Sequence, residues 1–181
     1  MSTKAARRYA SAMLQSAVER DILEEIKADM EFVYNTISDS QDLKLFLKSP
    51  IIKIDDKRDA LTSIFKEHLR KETFVLIELL LDKRRETLLS VIGKSFLELY
   101  NEHKGIIDVG VYSAYELSDE HLKSLLDSLE ESTGKKVQLN INRDESLRGG
   151  LAVRIDDTVI DGTVKHKISQ LKNQFAANAA K

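Results

Sequence analysis

Backbone freedom is distributed unevenly along this chain. Residues 1–104 contain a single glycine, Gly93, whereas residues 105–181 contain six. Glycine admits the positive-φ conformations of tight turns and strand joins, and it weakens helices. A stretch nearly free of it therefore favours helices joined by short links, and a stretch rich in it favours strands and turns. The apolar pattern changes at the same place. Up to residue 104 apolar residues recur every three or four positions, and from residue 106 they begin to alternate. The boundary is placed at His103-Lys104-Gly105.

The first part reads as a bundle of six helices. Ala5 to Arg20 carries Tyr9, Met13 and Ala17, with Ala6, Ala10 and Leu14 widening the apolar face. Residues 21–38 repeat the spacing through Ile22, Ile26, Met30, Val33 and Ile37. A short helix at 42–48 stops before Ser49-Pro50, because proline restricts its predecessor and lacks a backbone donor. Asp55 or Asp56 is expected to cap the next helix, which packs Ala60, Leu61, Ile64 and Phe65. Residues 72–81 hold the run FVLIELLL and are expected to be buried on most sides. Arg85 to Asn101 then presents Leu88, Leu89, Ile92, Phe96 and Tyr100. Such short helices are stabilised chiefly by packing against one another. The excess of apolar surface near 74–81 leaves room for a groove that accepts a further helix.

The second part reads as strand, helix, strand, strand, short strand, helix. Ile107, Val109 and Val111 alternate in a strand running toward Tyr115. Ser118 offers an N-cap, Leu122, Leu125, Leu126 and Leu129 a buried stripe, and Gly134 a C-cap. Val137, Leu139 and Ile141 alternate again, as do Leu151, Val153 and Ile155. Asp156-Asp157 suggests a turn before a short Val159-Ile160 strand. The last helix places Val164, Ile168, Leu171 and Phe175 on one stripe. The expected fold class is therefore an α+β two-domain chain. A helical bundle over 1–104 precedes a small α/β domain over 105–181 that ends in an amphipathic helix.

Composition removes several functions. The 28 basic and 30 acidic residues leave a net charge of -2, so no global field attracts nucleic acid. Without cysteine there is no disulfide, thiolate nucleophile or sulfur-ligated zinc. His68, His103, His121 and His166 lie too far apart in sequence to suggest a metal cluster. No run of 18 apolar residues is present, and the N-terminus lacks the apolar core of a signal peptide. A cytoplasmic chain that docks on a membrane complex is expected.

The remaining candidates are weighed individually. Gly149-Gly150 is followed by a strand rather than by Gly-Lys-Ser/Thr, so it reads as a structural turn with close backbone approach, not a phosphate loop. Gly162 fits a second tight turn. Asp156, Asp157 and Asp161 lack the spacing of a calcium loop and read as solvated turn residues. Lys165, His166, Lys167 and Lys172 form a basic helix face without the interleaved aromatics of a nucleic-acid platform. Arg7 and Arg8 beside Tyr9 are a solvated turn or a partner contact, and Lys83, Arg84 and Arg85 a charged helix junction or a partner contact. No catalytic, cofactor or metal residue is expected.

Three segments carry a resemblance that spans nearly the whole chain: ARRYASAML at 6–14, LDKRRETLLSVIGKSFLELYNEHKG at 81–105, and LRGGLAVRIDDTVIDGTVKHKISQLKNQF at 147–175. They resemble the delta subunit of bacterial F-type ATP synthase, the counterpart of the mitochondrial oligomycin-sensitivity-conferring protein. Arg8 stands where many relatives have proline, and Gly93-Lys94 interrupts the sixth helix, where a glycine costs about 1 kcal/mol relative to alanine. The resemblance implies a non-catalytic stator connector, peripheral to the cell membrane on its cytoplasmic side. It implies that the helical domain binds N-terminal segments of alpha subunits in a groove of the first and fifth helices, through Tyr9, Ala12, Met13, Phe74, Ile77 and Leu81. It further implies that the C-terminal domain binds the b subunit, as b or a b/b' dimer, through Val164, Ile168, Leu171 and Phe175. Beta-subunit contacts are left open. The other reading is a free helical adaptor for amphipathic partner helices.

Overall fold

The computed structural model describes residues 2–147, 149–155 and 158–170. The chain divides into two compact units, Met1–Tyr100 and Asn101–Lys181.

The first unit is a helical bundle: α1 (Ser2–Glu19), α2 (Leu23–Asp39), α3 (Gln41–Lys48), α4 (Ile54–Phe65), α5 (Lys71–Asp82), a 3-10 turn (Glu86–Leu88) and α6 (Leu89–Lys104). Its core is built from one stripe of each long helix, including Ile26, Met30, Val33 and Ile37 of α2 and Ile92, Phe96 and Tyr100 of α6. Gly93 sits where α6 crosses α2. A Cβ there would lie 3.0 Å from Tyr34 Cβ and 3.3 Å from the Met30 carbonyl oxygen, so the missing side chain is what lets the helices approach.

Two local expectations need correction. Neither Asp55 nor Asp56 caps α4. The N-cap is Lys53, extended after the Pro50 turn and without a side-chain cap bond. The helix starts earlier, and both acids fall in its first turn, where they complement the positive end of the helix dipole. Nor is α5 buried on most sides. Thr73, Leu76, Ile77, Leu80 and Leu81 face inward, while Val75 is 50% and Leu79 41% exposed. An apolar run longer than one turn surrounds the helix, and the bundle covers only one side of it.

Buried polar pairs pin the helices together. Asp29 of α2 accepts hydrogen bonds from Thr73 Oγ1 at 2.6 Å and from the Arg70 N–H at 2.9 Å, fixing the start of α5. Lys57 of α4 donates to Glu86 Oε1 at 2.6 Å and to the Leu47 carbonyl at 2.8 Å. It thereby ties α3, α4 and the 3-10 turn at one point.

The second unit contains β1 (Ile106–Ser113), α7 (Asp119–Thr133), β2 (Lys136–Arg143), a 3-10 turn (Glu145–Leu147), β3 (Leu151–Ile155) and β4 (Thr158–Asp161). Residues 164–170 are helical, here α8. The sheet order is β2-β1-β3-β4. β1 and β2 pair in parallel, from Ile106 with Lys136 to Ser113 with Arg143, and α7 is the crossover that a parallel pair requires. β3 pairs antiparallel with both β1 and β4. Val109, Val111, Leu129 and Val153 form the core, with Leu125, Val137 and Leu139 packed against it. Ser118 caps α7 by accepting from the His121 N–H, and Gly134 ends it at φ 65. β1 stops at Ser113, short of the expected Tyr115, whose side chain is exposed.

Candidate docking surfaces

α1 and α5 lie side by side with opposite directions. Tyr9, early in α1, accepts a hydrogen bond at 3.0 Å from Arg85, just beyond α5. At the other end Arg20, just beyond α1, reaches Glu72 in the first turn of α5 at 3.5 Å. Beside this second contact lies a cleft of about 360 Å³ lined by Met13, Ser16, Arg20, Lys71, Glu72 and Val75. Helix geometry explains the lining. Met13 and Ser16 are three residues apart on one face of α1, and Arg20 follows four residues later, just past its end; Glu72 and Val75 are three residues apart on one face of α5.

Of the residues expected here, Tyr9, Met13 and Phe74 are half-buried and Ala12 is exposed. Ile77 and Leu81 are each only 1% exposed and belong to the bundle core, so they do not present a surface to a partner. The apolar residues of α5 that are exposed are Val75 and Leu79. Two positions along a helix amount to about 200°, so Val75 and Ile77 cannot face the same way. The signal is present in the sequence, but an unbroken apolar run does not say which stripe the bundle takes.

The other surface is built around the start of α8. Thr163, 1% exposed, accepts from the His166 N–H at 3.1 Å and so caps this helix. Its own N–H donates to Asp161 Oδ1 at 2.9 Å. The hydrogen bonds from Thr163 hold the Asp161 carboxyl below its ordinary range, and His166 and Lys165 add favourable charge. Asp161 is thus a capping residue rather than a merely solvated turn acid. Sequence reading missed Thr163, although Asp-x-Thr ahead of an apolar-periodic segment is a recognisable helix start.

The glycine pair locks onto this start. Gly150 has φ 75, and a Cβ on it would stand 2.6 Å from the Gly162 carbonyl oxygen. The Gly149 carbonyl accepts from the Val164 N–H at 3.0 Å, and the Leu151 carbonyl from the Gly162 N–H at 3.0 Å. Protein backbone fills the space a phosphate would need. Val164 and Ile168 follow on α8, each 41% exposed, and Val159 and Ile160 of β4 are exposed as well. Leu171 and Phe175, and the Asp156-Asp157 turn, lie outside the described residues.

Among the described residues no cluster of three or more His, Asp or Glu side chains is placed to hold a metal ion. His166 contacts Asp161 at 3.7 Å and Gln170 at 2.8 Å. No helix among the described residues is long and apolar enough to cross a membrane.

The family model described as ATP synthase delta (OSCP) subunit matches residues 5–175. The chain belongs to this family. It is 41% identical over 179 residues to ATP synthase subunit delta of Chlorobaculum tepidum, with 99% of each chain covered. It is 35% identical over 173 residues to the subunit of the same name in Chloroherpeton thalassium, covering 96% of this chain and 94% of that one. Its fold is similar to that of a chain in the mitochondrial ATP synthase hexamer of Toxoplasma gondii, with a TM-score of 0.72, 26% identity, and 94% and 97% of the two chains covered. The protein is accordingly a non-catalytic connector of the peripheral stalk of F-type ATP synthase, associated peripherally with the membrane-bound complex.

Proposed function

We propose that the two units divide the connecting task between them. The helical unit, over residues 1–104, receives an N-terminal amphipathic segment of an alpha subunit in the α1/α5 groove. The unit over residues 105–181 binds the b subunit, through α8 and the apolar residues Val164, Ile168, Leu171 and Phe175. Neither contact needs a reacting group. Each contributes binding free energy that holds the catalytic head against the torque of the rotor. The observation that carries the reading is the exposed Val75, which lines a cleft together with Met13, with the exposed Leu79 one turn further along α5. Apolar surface of this kind on a helix pair is what an amphipathic helix covers.

Isothermal titration calorimetry of the full chain with a synthetic peptide of the alpha N-terminal segment tests the groove. Val75→Asp places a carboxylate under the peptide and is expected to weaken binding by about 2 kcal/mol, roughly thirtyfold in Kd. Unchanged affinity would move the head contact to another face.

A further inference from the structure

A second concavity lies on the helical unit and shares no lining residue with the α1/α5 cleft. Its volume is about 580 Å³, within the range of small-molecule pockets. The end of α3, the loop from Ser49 to Lys53, the start of α4 and the turn from Arg84 to Thr87 border it. The charged side chains on its walls are Lys48, Lys53, Asp55, Lys57, Arg84 and Glu86. Two of these cancel, because the buried Lys57 donates to Glu86 at 2.6 Å. Lys48, Lys53 and Arg84 are exposed, and no ion pair or side-chain hydrogen bond occupies them among the described residues. Asp82, two positions before Arg84, is taken by Arg58 at 2.7 Å. Asp55 is the acid that remains on the wall, against three cations.

Local stabilisation accounts for only part of this charge. Lys48 stands in the last turn of α3, where a cation complements the negative pole. Lys53 is the reverse case. It is the N-cap of α4, makes no side-chain cap bond, and adds its charge to a pole that is already positive. Arg84 holds a left-handed backbone at φ 54, a conformation that glycine or asparagine adopts more easily. Positive charge is thus kept at this cavity against local preference. Much of the remaining wall is apolar, with Ile52 and Ile54 half-buried and Ile51 91% exposed. A guest that fits both parts is an anion carrying a carbon body. Cations from three separate segments around one pocket suit a compact group that accepts from several donors at once. A phosphate is such a group, whereas carboxylates spaced along a chain are not.

We propose that this cavity binds an organic phosphate. Lys48, Lys53 and Arg84 take the phosphate, and Ile51, Ile52 and Ile54 cover the carbon body. Lys57 keeps Glu86 from opposing the anion. The site is independent of the α1/α5 groove and of what that groove receives.

Calorimetry and amide NMR of the full chain test this with phenyl phosphate, AMP, inorganic phosphate and a tetraglutamate peptide. Both organic phosphates are expected to bind with Kd below about 1 mM. They should shift the amide resonances of Lys53, Ile54 and Arg84 and spare those of Lys71 and Val75. Inorganic phosphate, which has no carbon body, should bind about tenfold more weakly. Lys53→Gln/Arg84→Gln is expected to weaken AMP binding about tenfold, and Lys48→Gln alone about threefold, with helicity unchanged in both. Lys71→Gln, outside the cavity, should change it by less than about twofold. The proposal is overturned if neither organic phosphate saturates the chain by about 10 mM, or if the double variant binds AMP as the native chain does. Displacement of AMP by tetraglutamate at a lower concentration than AMP itself requires would also overturn it, and would make the cavity a seat for an acidic protein segment. Should the double variant lose helicity, Lys48→Gln decides, and its unchanged affinity would count equally against the site.

Discussion

Lys57 and Glu86 meet at 2.6 Å inside the bundle, with side chains 4% and 8% exposed. Glu86 Oε2 is buried without a hydrogen-bond partner among the described residues. Lys57 is therefore the group that neutralises this carboxylate. Lys57→Met keeps the volume and removes the charge, and is expected to lower the stability of the chain by about 3–5 kcal/mol in chemical denaturation. Removing both charges in Lys57→Met/Glu86→Leu should restore most of that loss. A single-variant loss below about 1 kcal/mol would mean that the pair behaves as a solvated one. Nothing in the sequence singles out this pair, since its members stand 29 positions apart among many other charged residues. Gly149-Gly150 is different. A glycine pair opening an alternating strand already points to close backbone approach. Only the structure shows that the approaching group is the Gly162 carbonyl.

At the scale of elements, helices and strands follow closely from periodicity, because the apolar spacing that defines each element also buries it. The six-helix order, the αL stop of α7 at Gly134 and the β-α-β-β-β-α sequence of the second unit are all legible this way. What periodicity leaves open is which face wins when a helix is apolar all round. α5 is that case, and packing against the bundle decides it in favour of Ile77 and Leu81. Parallel pairing of β1 with β2 is likewise a choice among registers that local pattern does not distinguish. Contacts between helices also carry a measurable pH signature. Tyr100 of α6 donates to Glu24 of α2 at 2.7 Å. Burial pushes its phenol up to about 12, and the hydrogen bond and charge of Glu24 add to the effect. The folded state thus holds the proton more firmly than the unfolded chain does. This contribution is fully present below about pH 10 and is lost as pH rises through about 12. The stability advantage of the native chain over Tyr100→Phe should be constant below about pH 10 and shrink across that window. A difference that stays flat to pH 12 would show the phenol to be solvated.

Across the whole molecule, each unit has exposed apolar residues of its own, Val75 and Leu79 among those of the first and Val164 and Ile168 among those of the second. A chain that binds two components of one complex raises the local concentration of each for the other, so neither interface has to be tight alone. Asp161 and Gly150, which suggest chemistry in the sequence, help to start α8 together with Thr163. The central claim is that head and stalk are held by different units of one chain. It is tested most directly by light scattering on mixtures of the full chain, a delta-depleted catalytic head and a soluble b-subunit fragment. The native chain is expected to form a ternary complex, Val75→Asp to retain only the b fragment, and Ile168→Asp to retain only the head. Loss of the same partner by both variants, or a native chain that binds the two partners only in competition, would contradict it.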